Sequence, residues 1–249
     1  MSENLVSLKD VEVSFTSGSF KKNEKKVLKG VSFDIKPGEI LGLAGESGSG
    51  KSTIAKAILK MVDIKAGSME RNTNHPQMIF QDPYGSLNPA YSISWIMQEP
   101  LRMSTKLSAA QRREKVVEML NEVGLDESYM ERKPGELSGG QRQRICIGTA
   151  LMRGPKLLIA DEPVSALDVT VASQVLALLK RLHEEKHIAI LFISHDLRTM
   201  YNFCDRIMIL RDGRIIEEGV PKELYKNPKE EYTRLLLRSA GVYNDQSVS

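Results

Sequence analysis

Cysteine, long apolar runs and excess charge of either sign are all scarce in this 249-residue chain. Cys146 and Cys204 are its 2 cysteines, far apart and in no C-x-x-C pattern. A disulfide framework, a zinc finger and a four-cysteine cluster held by this chain alone are thereby excluded, and both thiols read as buried small hydrophobes. The longest apolar run, IAILFI at 188–193, is far short of the roughly 18–20 residues that cross a bilayer. The N-terminus, MSENLVSLKD, has no basic region followed by an apolar block, so no secretory leader is expected and the cytoplasm is the default location. The net charge of +3 lacks the basic excess of a duplex-binding surface, which argues against nucleic acid as a partner. With 27% charged and 41% hydrophobic residues, the chain has an ordinary globular composition and length for one large domain or two small ones.

What is present is an alternation of short apolar runs with amphipathic stretches, which predicts an α/β domain with a largely parallel sheet. The opening differs. LVSLKDVEVSF and KKVLKGVSFDI flank a polar stretch, 16–26, and predict an antiparallel hairpin whose lysines, Lys21, Lys22, Lys25 and Lys26, form a solvated tip. EILGLA (39–44) reads as a buried strand, followed after a glycine-rich turn by a helix carrying Ile54, Ala57, Ile58 and Met61 on one face. QMIF (77–80) is a second strand ending at Gln81, and 93–152 is helical in pattern. Ser108 and Gln111 are spaced as a capping box for a helix burying Val116, Val117, Leu120 and Val123 and stopped by Gly124. Strand KLLIA (156–160), a helix burying Val171, Val175, Leu178, Leu179 and Leu182, and strand IAILFI make a βαβ unit. RIMILRDGRIIEEG is a hairpin around Asp212-Gly213, Pro221 opens a short helix, and NDQSVS at the end reads as frayed.

Three motifs carry chemistry. Gly45, Glu46, Ser47, Gly48, Ser49, Gly50, Lys51 and Ser52 match G-x-x-x-x-G-K-[ST] between a strand and a helix. Such glycines turn backbone N–H groups toward a phosphate, the helix N-terminus adds partial positive charge, Lys51 reaches the terminal phosphates and Ser52 ligates Mg²⁺. LLIADE ends an apolar strand in adjacent carboxylates that point to opposite sides, so Asp161 is assigned to Mg²⁺ through water and Glu162 to the attacking water. Leu137, Ser138, Gly139, Gly140 and Gln141 have the Ser-x-x-Gln spacing of a capping box. That accounts for the cap and not for consecutive glycines, which offer bare N–H groups to an anion, here to a nucleotide held by a different chain.

Together, GESGSGKST (through Thr53), LSGGQ, LLIADEP, SALD and ISHD, in this order, resemble the ATP-binding-cassette (ABC) ATPases over essentially the whole chain. The resemblance implies a P-loop NTPase (RecA-like) core with an N-terminal antiparallel β subdomain and an inserted α-helical subdomain. It places the core and β subdomain at 1–81 and 155–240, the helical subdomain at 82–154 and a flexible tail at 241–249. It also implies Phe15 stacked on adenine, Gln81 lining the magnesium and water and coupling to the membrane partner, Asp168 at the dimer interface and His195 on the γ-phosphate.

A narrower resemblance, in FQDPYGSLNPAYSISWIMQEPL (80–101) and EEYTRLLL (230–237), is to the peptide/nickel importer subfamily. It implies ATP and Mg²⁺ as cofactors, a second ABC ATPase subunit, two transmembrane permease subunits and an extracytoplasmic solute-binding protein as partners, no nucleic acid, and a peripheral place on the cytoplasmic face of the membrane. The lack of a cysteine-clustered C-terminal extension tilts the expected cargo toward nickel or a metal chelate, with peptides next. Gly148-Thr149 stands where the family usually has Ala-Arg, and Val164 where Thr is usual; Gly148 is expected to mark close helix packing. The main alternative is a soluble ABC ATPase linked to nucleic acid or translation, which would usually carry two cassettes or a long coiled coil. A P-loop kinase leaves LSGGQ without a role, and a non-hydrolysing binding subunit leaves Glu162 and His195 without one.

Overall fold

A computed structural model describes residues 4–17 and 23–243. In chain order its elements are β1 (Val6–Ser17), β2 (Asn23–Ile35), β3 (Ile40–Ala44), α1 (Lys51–Ile58), β4 (Ala66–Arg71), β5 (Gln77–Ile79) and α2 (Pro83–Ser86). Then come α3 (Ile93–Ser104), α4 (Ala109–Glu122), α5 (Gly139–Leu151), β6 (Leu157–Asp161), α6 (Val169–Lys186) and β7 (Ala189–Ile193). The chain finishes with α7 (Leu197–Phe203), β8 (Arg206–Arg211), β9 (Arg214–Gly219), α8 (Pro221–Lys226) and α9 (Glu231–Ser239). These elements fall into two compact units, one of residues 1–74 with 187–249 and one of residues 75–186.

The first unit holds two sheets. β1 pairs antiparallel with β2 on one side and β4 on the other. The alternation of β1 and β2 buries Val6, Leu8, Val11, Val13, Leu28, Val31 and Ile35, the pattern of a sheet with one face on a core. Both strands run further into the polar stretch than its composition suggested, with Thr16 opposite Glu24; Lys26 there pairs with Glu12 at 2.6 Å rather than forming a loop tip. Lys21 and Lys22 lie outside the described residues, as does the NDQSVS end. β4 was not foreseen, because AGSMER is an edge strand with little apolar alternation to betray it.

In the second sheet of this unit, β3 lies between β7 and β8, parallel to both, and β9 adds antiparallel to β8. All five residues of β3 and of β7 are buried, the continuous apolar run expected of parallel strands covered on both faces. At the N-terminal end of β3, Glu39 receives the Arg206 guanidinium at 2.8 Å while Asp205 accepts the Ile40 N–H at 2.8 Å. The edge facing away from the glycine-rich turn is therefore anchored by paired, hydrogen-bonded charge.

Helix α1 stops a turn earlier than its apolar spacing predicts. Lys60 takes a left-handed φ of 59°, which ends the helix and leaves Met61 58% exposed rather than on the buried face. The Asp212-Gly213 turn joins β8 to β9 as expected, and it is also a junction. Gly213 N–H donates to Ser49 O at 3.0 Å and Gly213 O accepts from Lys29 N–H at 2.9 Å. Its φ is +79°, and an added Cβ would sit 2.0 Å from Val27 O.

The second unit contains the parallel pair β5–β6 and the helices α2 to α6. The Ser108–Gln111 capping box forms in both directions at 3.3 and 2.9 Å, with Gly124 in a left-handed turn behind α4. Val116, Leu120 and Val123 are buried; Val117 is only half-buried and Met119 takes its place, because the inward face of α4 lies one position round. Likewise Val175, Leu178, Leu179 and Leu182 of α6 are buried and Val171 is half-buried. A Cβ on Gly148 would lie 3.0 Å from Met97 and 3.2 Å from Met119, so this mid-helix glycine is where α5 approaches α3 and α4 closely.

Substituting Gly213→Ala forces either the turn or the β2 backbone to shift. We expect a loss of about 2 kcal/mol in urea unfolding, roughly 4–8 °C in Tm. An unchanged midpoint would show that the turn has room the structure does not display.

Candidate functional site

In the first unit, the chain leaves buried β3 at Ala44 and enters α1 at Lys51 through six residues that only glycine makes possible. Gly45 has φ +152° and no room for a Cβ, which would lie 2.3 Å from Leu210 O. Gly48 (φ +80°) has open space on its Cα, and Gly50 (φ +115°) is the N-cap of α1. Because Gly50 has no side chain, no side-chain oxygen caps α1, and its positive helix end is left without a capping side chain, as an anion requires. The Lys51 ammonium folds back to donate to Gly45 O at 2.7 Å and Glu46 O at 2.9 Å, which holds a buried cation over the turn. The Ser49 hydroxyl is buried and has no hydrogen-bond partner. Ser52 is exposed in the first turn of α1 and Thr53 is half-buried beside it. Open space at Gly48, an uncapped helix start, a cation and an orphaned hydroxyl together fit a polyphosphate.

Two further residues of this unit were singled out. Phe15 stands on β1 opposite Lys25 and is 44% exposed, an aromatic face left to solvent. His195 is exposed in the loop after β7, and the next residue, Asp196, caps α7 through the Arg198 and Thr199 N–H groups at 3.0 and 3.4 Å.

In the second unit, the register of β5 against β6 pairs Ile79 with Ala160. Gln81 and Glu162 therefore both follow at the C-terminal end of this strand pair, Gln81 exposed and Glu162 half-buried. Asp161, the last residue of β6, is buried. Glu162 has φ 50°, a left-handed conformation that costs a non-glycine residue of order 1 kcal/mol and clusters at functional sites. Sequence inspection offers no signal for that strain. Among the described residues no group of three or more His, Cys, Asp and Glu could hold a metal unaided. Hydroxyl, amide and carboxylate oxygens suit Mg²⁺, which keeps waters and phosphate oxygens among its ligands.

The LSGGQ segment begins α5. Ser138 Oγ accepts from Gln141 N–H at 3.4 Å, Gln141 Oε1 accepts from Ser138 N–H at 3.0 Å, and Gln141 Nε2 donates to Tyr129 at 2.9 Å. The side chains thus form the capping box at the start of the helix that Gly139 and Gly140 open. Gly140 also has a packing reason, since a Cβ would lie 2.4 Å from Val171 of α6, while one on Gly139 would lie 3.3 Å from Leu167. Leu137 is buried, and Asp168 accepts from Val171 N–H at 3.0 Å at the start of α6.

A glycine turn from a buried parallel strand into an uncapped helix, with a folded-back lysine, defines a P-loop nucleoside triphosphatase. The structure has the RecA-like arrangement with an antiparallel β subdomain and an inserted helical subdomain. The ABC transporter family profile matches residues 28–165. OppF, an oligopeptide transport ATP-binding protein of Streptococcus pyogenes serotype M1, is 42% identical over 97% of this chain and 83% of its own length. YejF, an uncharacterized ABC transporter ATP-binding protein of Escherichia coli K12, is 45% identical over 85% of this chain, which spans 43% of that protein. Among solved structures, the dimeric post-hydrolysis ATP-binding cassette MJ0796, bound to ADP and Pi, superposes with a TM-score of 0.75 at 29% identity, covering 87% of this chain and 98% of that one. The chain belongs to the ABC transporter family as an ATP-binding subunit, and is an ATP hydrolase. No helix among the described residues is long and apolar enough to cross a membrane.

Cys146, on α5, is partly accessible as a residue, yet burial pushes its thiol up to about 12, with the Asp82 charge adding to the rise. At pH 8 only about one thiol in ten thousand would be ionised. Iodoacetamide is therefore expected to spare Cys146 in the native chain and to label it once urea unfolds the protein. Native labelling at the rate of a free thiol would contradict this.

Proposed function

We propose that the chain energises a binding-protein-dependent importer of peptides, as one of two related cassettes that close head to tail on ATP. The observation that carries this reading is the 45–53 turn, with Lys51 tethered above an uncapped helix start. Two transmembrane permease subunits would receive the chain at the cytoplasmic face, and an extracytoplasmic solute-binding protein would deliver the cargo. Oligopeptide transport is what OppF is named for, which supports peptide over the nickel or metal-chelate cargo that the missing cysteine cluster suggested. The transporter relatives likewise give no support to a role in translation or with nucleic acid.

In this reading Phe15 stacks on adenine, and the 45–53 backbone surrounds the phosphates. Lys51 exchanges two carbonyl partners for terminal phosphate oxygens, a charge-assisted contact stronger than the neutral ones it replaces. Mg²⁺ held by Ser52, Gln81 and, through water, Asp161 would neutralise charge on the phosphates. Glu162 orients the attacking water and takes its proton, held by a strained backbone in one position, and His195 contacts the γ-phosphate. The Leu137–Gln141 segment offers its glycine N–H groups to the nucleotide of the partner cassette, with Asp168 at the interface. Residues 82–154 form the helical lever, and Gln81 relays the state of the site toward the permeases. Closure on ATP and reopening after hydrolysis convert binding energy into a population shift.

Glu162→Gln is expected to keep ATP binding, to accumulate ATP-bound dimer on size exclusion, and to slow hydrolysis by at least about 100-fold. Unchanged turnover would remove Glu162 from this role. Deleting the chain from its host should abolish uptake of a labelled oligopeptide and leave nickel uptake intact. The opposite result would restore the metal reading.

A further inference from the structure

The amphipathic C-terminal helix α9 touches the glycine-rich turn. Its Tyr232 side chain is buried, and its hydroxyl accepts the Glu46 backbone N–H at 3.4 Å. Glu46 is thus held at both ends of its backbone, because its carbonyl accepts from the Lys51 ammonium at 2.9 Å. Tyr232 is itself clamped, with the Arg211 guanidinium 4.6 Å from the centroid of its ring. Residues 46–49, Arg211, Tyr232 and the exposed Leu235 together line an open cleft of about 430 Å³. Burial raises the phenol above its ordinary range, opposed by the hydrogen bond from the Glu46 backbone and by the Arg211 charge and helped by the Glu46 carboxylate, so it stays protonated at physiological pH.

We propose that Tyr232 is a positioning residue for nucleotide binding, fixing the Glu46 peptide so that the glycine turn is held ready for the phosphates before ATP arrives. The Glu46 N–H is the donor the turn can spare: it faces the phenol, while the N–H groups from Gly48 onward lead into the helix start. Without the hydroxyl that donor loses its partner, and the turn samples conformations in which the Gly45 and Glu46 carbonyls no longer hold Lys51 in place. The cost appears when ATP binds, because the loop must then be ordered at the expense of affinity. The inference rests on reading 45–52 as the phosphate loop.

The test uses the full chain and a fluorescent methylanthraniloyl-ATP. Tyr232→Phe keeps the ring and the Arg211 stack and deletes only the hydroxyl, with its contacts to the Glu46 backbone and side chain. Its Kd is expected to rise about three- to tenfold, the range for one lost hydrogen bond. Tyr225→Phe is the control: that buried phenol donates to Leu197 O at 2.7 Å in the same unit and does not touch the turn. If Tyr225→Phe weakens binding as much as Tyr232→Phe, or if neither does, the positioning role is overturned. Amide hydrogen exchange without nucleotide gives an independent reading, with Glu46 expected to exchange faster in Tyr232→Phe and unprotected Glu46 in the parent chain counting against the proposal. Lys51→Ala separates the two levels of inference: if it still binds the probe normally, the phosphate-loop reading fails, whereas loss of binding there with unchanged Tyr232→Phe rejects Tyr232 alone.

Discussion

A backbone that must expose its own N–H groups cannot use them for secondary structure, and this constraint governs the stretch between β3 and α1. Gly45, Gly48 and Gly50 all take positive φ values, and each glycine so fixed gives up more chain entropy than any other residue would. The surroundings offset that cost. Lys51 ties the Gly45 and Glu46 carbonyls from above, Gly213 donates to Ser49 O from the β8–β9 turn, and Leu210 O stands where a Cβ on Gly45 would have to go. β3 itself is buried between β7 and β8, so the start of the turn cannot drift. The turn is held by the sheet on which it stands as well as by its own contacts.

The second unit solves the same problem differently. At the start of α5 the polar side chains satisfy each other, Ser138 with Gln141 and Gln141 with Tyr129, so no side chain competes for the space beyond the helix end. Glycine at 140 is required by the Val171 methyl as much as by any ligand. At the end of β6 the device is strain: Glu162 departs into a left-handed conformation directly after five buried residues, which fixes where the chain goes next. Its carbonyl accepts from Ser165 N–H at 3.3 Å and from Ser165 Oγ at 3.1 Å, so the turn that carries the strain is itself braced.

Features whose cause lies within a few residues were legible in the sequence. Ser108 with Gln111, Ser138 with Gln141, Asp212-Gly213 and the apolar runs of β3, β6 and β7 behave as local chemistry dictates. What escaped has its cause elsewhere in the chain. β4 is a strand because β1 offers it an edge, not because AGSMER favours one. Met61 leaves the core because Lys60 ends the helix, which a 3.6-residue period cannot foresee. The strain at Glu162 and the spare N–H of Glu46 are properties of the folded backbone, and no residue type announces them.

The contact between Glu46 and Tyr232 joins positions 186 residues apart, and it illustrates why motif reading stops short of the whole site. The motif specifies a turn that can bind phosphate. Whether that turn is ordered before the nucleotide arrives depends on groups that satisfy its remaining polar atoms, and these are free to come from any element that reaches it. Here they come from the β8–β9 turn through Gly213 and from α9 through Tyr232, two elements that contribute no residue to the glycine-rich motif. Losing one such hydrogen bond costs about 0.5–1.5 kcal/mol net, comparable with the free energy that separates a tenfold tighter site from a weaker one. Affinity for the nucleotide is therefore set in part by the end of the chain, at a distance in sequence that makes it independent of the motif and open to change without touching it.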